Sequence, residues 1–160
     1  TYRLCQFLAE REGLPMRFPP RNPFASLGAL RLLTALGAPT GAVRAAFEFV
    51  WAEGRDPSGP AEFAALGTRL GVGDPDAAVN MPETKAALRA ATEEAIATGV
   101  FGVPSLLIDG TVFWGADAMP MAEAYLADPG MLARGEMGRL AGLPVGVERR
   151  VMRGGATPPT

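Results

Sequence analysis

The chain has 160 residues and a formal charge of −2, with 15 basic against 17 acidic side chains. At this length one globular unit with an adequate core is the default, and the charge balance offers no basic face for nucleic acid. Cys5 is the single cysteine and histidine is absent, which excludes an internal disulfide, a C-x-x-C redox pair and any histidine acid–base or metal chemistry.

The first predicted element is a helix, with Tyr2, Cys5 and Leu8 at helical spacing, Ala9 beside them, and Gly13 as its stop. On that apolar stripe Cys5 reads as a packed, unreactive thiol, because no charged neighbour stabilises a thiolate. The helix starts at Thr1 with no preceding cap, so a natural start upstream is expected. Met16-Arg17-Phe18 reads as a short extended segment and a weak candidate strand, leading into a proline-rich run that ends at Pro23. A second helix spans 26–36, with Leu27, Leu30, Leu33 and Ala35 on one face and Gly37 after it. Pro39-Thr40 opens a third helix through Trp51, Pro60 a fourth, and Asp74-Pro75 a short fifth to Asn80.

Pro82 then begins the clearest helix, running to Gly99, with Leu88, Ala91 and Ala95 expected inward. The pattern changes after it. Leu106-Leu107-Ile108 and Thr111-Val112-Phe113 flank Asp109-Gly110, the strongest short hairpin signal. Phe113 and Trp114 alternate across that strand, so one faces a core and the other a cleft or solvent. Phe101 is expected in the core. A last amphipathic helix covers 118–127, and the tail beyond Gly130 reads as Gly-, Pro- and Arg-rich and disordered at its end. No apolar run reaches the ~18–20 residues of a membrane span, and no signal-peptide pattern opens the chain, so no membrane association is expected and cytoplasm is the default. A lone hairpin is marginal in water, so further strands are expected to come from a segment upstream.

The run Gly99-Val100-Phe101-Gly102-Val103-Pro104-Ser105, then Asp109-Gly110, then Phe113-Trp114-Gly115-Ala116-Asp117, resembles the G-V-F-G-V-P … D-G … F-W-G-x-D stretch of 2-hydroxychromene-2-carboxylate isomerases. These are similar in turn to kappa-class glutathione transferases and DsbA-like oxidoreductases. The helix from Pro82 to Ala95 and the stretch from Pro19 to Arg31 fit the same family. The resemblance implies an α/β fold of the thioredoxin-like, DsbA type with an inserted helical domain. On that plan 1–25 links from an N-terminal β-α-β half outside this chain. Residues 26–80 are then the insertion, 81–130 the second half of the thioredoxin-like domain, and 131–160 a tail.

The resemblance also implies an enzyme, incomplete in this chain: a glutathione-dependent isomerase acting on aromatic-degradation intermediates. Its chemistry would be thiolate addition to a conjugated carbon, bond rotation and elimination. Glutathione is then the cofactor, the substrate is a small aromatic molecule, and a homodimer is compatible with the relatives. No catalytic residue is identified here: the family's activating serine lies after a first strand, in a stretch like F-D-x-x-S-P-x-S that this sequence lacks. The cofactor-binding residues implied are Val103, Pro104, Trp114, Gly115, Ala116 and Asp117.

A proline just before a strand can hold a cis bond after Val103, which would turn the Val103 N–H and C=O outward to pair with an extended peptide such as glutathione. Asp117 reads either as a helix N-cap or as the anchor of the γ-glutamyl end, with the Ala116 and Asp117 amides beside it. As a cap it is restricted, because Pro120 has no N–H and only the Met119 amide remains. Ala25 and Ser26 are the implied substrate-side residues. Here the sequence departs from the family: Pro23-Phe24-Ala25-Ser26-Leu27 stands where relatives carry P-x-N-S-L or P-x-N-T-L, and Ala118 stands where they often carry arginine. Two other readings remain: a non-catalytic glutathione- or peptide-binding module, and a kappa-type transferase or disulfide oxidoreductase relative. The missing cysteine pair counts against the redox form.

Overall fold

The computed structural model describes residues 1–144 and 146. Instead of the expected single unit, the chain divides between Thr98 and Gly99 into two compact units. The reason is that each has its own buried apolar cluster.

The first unit is helical. Helix α1 (Tyr2–Arg11) ends at Gly13, and the Leu14 N–H returns to the Ala9 carbonyl at 2.8 Å. Of its expected stripe only Ala9 is buried; Tyr2, Cys5 and Leu8 are exposed. Helical spacing put them on one face correctly, but no described element covers that face. Met16 to Phe18 is not a strand either. Its backbone meets a helix end, with the Arg17 N–H donating to the Trp51 carbonyl at 2.7 Å. Phe18 lies between aromatic neighbours, 5.1 Å from Tyr2 and 5.8 Å from Trp51 between ring centres.

Helices α2 (Leu27–Ala35) and α3 (Thr40–Phe47) follow, the second starting after Pro39. Helix α3 continues into one π-helical turn, Glu48–Ala52, whose wider spacing is marked by the Glu53 N–H reaching the Glu48 carbonyl at 2.9 Å. That extra residue turns the helix face, so Phe49 and its neighbour Val50 are both buried. Helices α4 (Pro60–Arg69), α5 (Pro75–Asn80) and α6 (Pro82–Ala97) each begin with proline, whose missing N–H costs nothing in a first turn. Asp74 caps α5 by accepting from the Ala77 N–H at 2.8 Å. Leu32, Phe49 and Leu66 are completely buried and, with Ala46, Val50 and Val79, form the core of this unit. Helix α6 packs on α2 and α5. On α6, Leu88 and Ala95 are half-buried, whereas Ala91 is exposed and Thr84 is the buried residue.

The second unit holds the hairpin. Strands β1 (Ser105–Ile108) and β2 (Thr111–Trp114) pair antiparallel, with Ser105 opposite Trp114 and Ile108 opposite Thr111. Both turn residues are left-handed, Asp109 at φ 49° and Gly110 at φ 78°, the pair of positive φ values a two-residue turn of this twist requires. Beyond β2 comes a 3-10 turn, Ala116–Ala118, and helix α7 (Met119–Ala127). Phe113, Ala122 and Tyr125 make the core, and Met131 and Leu132 pack onto it. Those last contacts give the start of the tail a structure. The chain after Gly130 lies in a 3-10 turn, Pro129–Ala133, and helix α8 (Gly135–Leu140), because apolar side chains there have a core to join. The Gly-Pro end expected to be disordered lies outside the described residues. Among the described residues no helix is long and apolar enough to cross a membrane.

Candidate functional site

The hairpin ladder brings six of the implied residues together. Its last strand pair is Ser105 with Trp114, and one further bond runs from the Gly115 N–H to the Pro104 carbonyl at 2.9 Å. The segments 103–104 and 115–117 therefore sit side by side at one end of the hairpin. The Val103–Pro104 peptide is cis, as is Asn22–Pro23 in the first unit. Val103 is 88% exposed, and among the described residues its N–H and C=O make no hydrogen bond. The Ser105 hydroxyl donates to the Gly102 carbonyl at 2.7 Å and closes the turn that leads into the strand.

Phe113 and Trp114 separate as strand alternation requires. Phe113 is 3% exposed, and Trp114 is 52% exposed on the opposite face. Phe101, expected in the core, is instead 73% exposed and lies 5.1 Å from the Trp114 ring. The reason is local. Gly102 has no side chain, so the indole comes down over its backbone, and the exposed Phe101 ring packs against the indole.

Gly115 takes φ 93°, in the range open to glycine, and the Asp117 carboxylate lies over it where a Cβ would collide. Asp117 is not a cap. The 3-10 turn already begins at Ala116, so Asp117 stands inside the turn, and its carboxylate accepts no hydrogen bond among the described residues. The Ala116 and Asp117 N–H groups are the first of that turn and likewise have no backbone acceptor. One residue with a free donor and acceptor, two free amides, an unpaired carboxylate and an aromatic shelf thus share one end of the hairpin. Such a set can pair with an extended peptide carrying a carboxylate and an ammonium group.

Ala25 and Ser26 belong to the first unit and are exposed. The Ala25 N–H donates to the Ser58 hydroxyl at 3.0 Å. Behind Ser58 stands Asp56, 8% exposed, which accepts from the Ser58 N–H at 2.9 Å and from Arg21 at 2.9 and 3.0 Å. The hydrogen bonds from Ser58, and then the Arg21 guanidinium, hold the Asp56 carboxyl below the usual range against the opposing effect of burial. Sequence reasoning passed over Asp56 and Ser58. The available signal was Asp56-Pro57-Ser58-Gly59, a turn sequence whose aspartate commonly accepts from the backbone two residues on.

Three comparisons bear on this arrangement. A family model described as a DSBA-like thioredoxin domain matches residues 3–127. A 2-hydroxychromene-2-carboxylate isomerase of Sphingobium xenophagum is 35% identical over 89 residues, which are 54% of this chain and 45% of that protein. A solved structure of a 2-hydroxychromene-2-carboxylate isomerase superposes with a TM-score of 0.60 at 25% identity, over 85% of this chain and 63% of that one. The chain spans less than two thirds of the length of either relative. With most of its length matched by one family model, and the same fold in its structural neighbour, this chain belongs to the DsbA-like thioredoxin-domain family.

Proposed function

We propose that this chain is the glutathione-binding part of an isomerase of the 2-hydroxychromene-2-carboxylate isomerase type, acting on intermediates of aromatic degradation. The observation that carries the reading is the free, exposed backbone of Val103 beside the 115–117 run. Glutathione fits the groups found there. Its cysteinyl unit would pair with the Val103 N–H and C=O, and its γ-glutamyl end would meet Asp117 and the Ala116 and Asp117 amides. Trp114 would cover the peptide from one side. When bound, glutathione supplies the thiol that adds to a conjugated carbon, permits rotation and leaves again.

This chain's own residues hold and orient. Val103 fixes the direction of the peptide, Gly115 lets the backbone turn tightly enough to bring the amides alongside, and Asp117 selects a positively charged amine. In the first unit Ala25 and Ser26 are assigned to the substrate side, and the Arg21–Asp56–Ser58 chain of hydrogen bonds holds the Ala25 backbone in place.

Two titrations test the reading. Glutathione and S-methylglutathione, which keeps the peptide and lacks a free thiol, should both bind and compete. The 160 residues alone should not turn over a 2-hydroxychromene-2-carboxylate, because none of their residues is assigned to activate the thiol. Absence of glutathione binding would contradict the cofactor assignment, and robust turnover by these residues would contradict the assignment of the thiol-activating group elsewhere.

A further inference from the structure

A cleft of about 490 Å³ opens on the first unit between α2 and α6. Arg31 of α2 and Lys85 and Arg89 of α6 line it, against a single carboxylate, Glu93. Lys85 and Arg89 are four residues apart on one helix face, where like charges repel. Among the described residues none of these cations takes part in a salt bridge or a side-chain hydrogen bond. The Arg31 Nε is moreover shielded from solvent and has no acceptor, an unfavourable state for a donor on a charged group. The other cleft residues differ in kind. Leu27 and Leu88 offer apolar surface, and the Thr92 hydroxyl donates its proton to the Leu88 carbonyl at 2.8 Å, leaving only acceptor capacity.

We propose that this cleft binds an amphipathic anion, an apolar ring or short chain bearing carboxylate groups. The apolar body lies on Leu27 and Leu88. One carboxylate meets the planar fork of Arg31, which after a small rotation presents Nε and a terminal nitrogen together, and a second lies between Lys85 and Arg89. A bare inorganic anion would satisfy the charges and leave the leucines wet. A neutral apolar molecule would leave the cations unpaired. The inference uses no part of the glutathione reading, since its residues are all on α2 and α6.

Calorimetric titration of the full chain with phthalate tests it, with benzamide and inorganic phosphate as the neutral and the non-apolar controls. Phthalate should bind, and Lys85→Gln with Arg89→Gln, both exposed positions, should weaken it by ~10-fold or more, as loss of charged hydrogen bonds does. Arg31→Gln should act the same way, with circular dichroism reporting whether its half-buried site still folds. No phthalate binding, or binding unchanged in the Lys85→Gln, Arg89→Gln variant, would overturn the proposal. Benzamide binding as tightly as phthalate would overturn the role of charge, and inorganic phosphate doing so would overturn the role of the apolar floor.

Discussion

Asp117 stands unpaired over Gly115 and holds no helix end, so its removal separates recognition from stability. On the proposed reading Asp117→Ala weakens glutathione by about 1.5–3 kcal/mol, the usual range for hydrogen bonds to a charged group. Calorimetry reads the affinity and a denaturant midpoint reads the stability, which should not change. A loss of stability with affinity intact would return Asp117 to a purely structural role. Asp56 is the opposite case, a carboxylate that is buried and fully engaged. Its pKa is lowered in the folded chain, so its stabilisation is present above the unfolded carboxylate pKa and is lost as pH falls through the lowered folded value. Asp56→Ala should therefore cost about 2 kcal/mol at neutral pH and flatten the acid limb of a stability–pH curve, since a protonatable partner is gone. Both carboxylates were visible in the sequence, yet only Asp117 was singled out, because its motif resembles a family's. Asp56 is held first by Ser58 two residues on, which its turn sequence signals, and then by Arg21, distant in sequence, which no local pattern announces.

Elements with a local cause were the legible ones. Pro60, Pro75 and Pro82 start helices where expected, and Asp109-Gly110 makes the hairpin turn. That turn gives a direct check: Gly110→Ala puts a Cβ into a left-handed residue and should destabilise the second unit by ~1–2 kcal/mol, measured by thermal or denaturant unfolding. An unchanged midpoint would mean the hairpin tolerates another turn. Where an element's fate depends on a distant partner, its sequence was silent. The stripe of Tyr2, Cys5 and Leu8 is helical as its spacing says, but whether it is covered is decided elsewhere. Phe101 reads as core and goes outward because Gly102 lets Trp114 over the backbone. Residues after Gly130 read only as a Gly-, Pro- and Arg-rich tail, and no pattern there announces that Met131 and Leu132 join the Phe113 cluster.

At the scale of the whole molecule, length alone suggested one unit, and two separate apolar cores make two. The family was nonetheless readable, because one contiguous run from Gly99 to Asp117 carries its motif and the hairpin holds that motif's two ends together. The stretch proposed for the substrate side was less so, since the alanine at position 25 stands where the family pattern has an asparagine. Glutathione is proposed to bind one end of that hairpin through backbone groups, and amide resonances in a ¹⁵N-labelled chain titrated with glutathione test this most directly. Saturable shifts at the amides of Val103, Ala116 and Asp117 and at the Trp114 indole, the same with S-methylglutathione, are the predicted result. A well-dispersed spectrum in which those signals stay still, or in which saturable shifts map only to other residues, would contradict it.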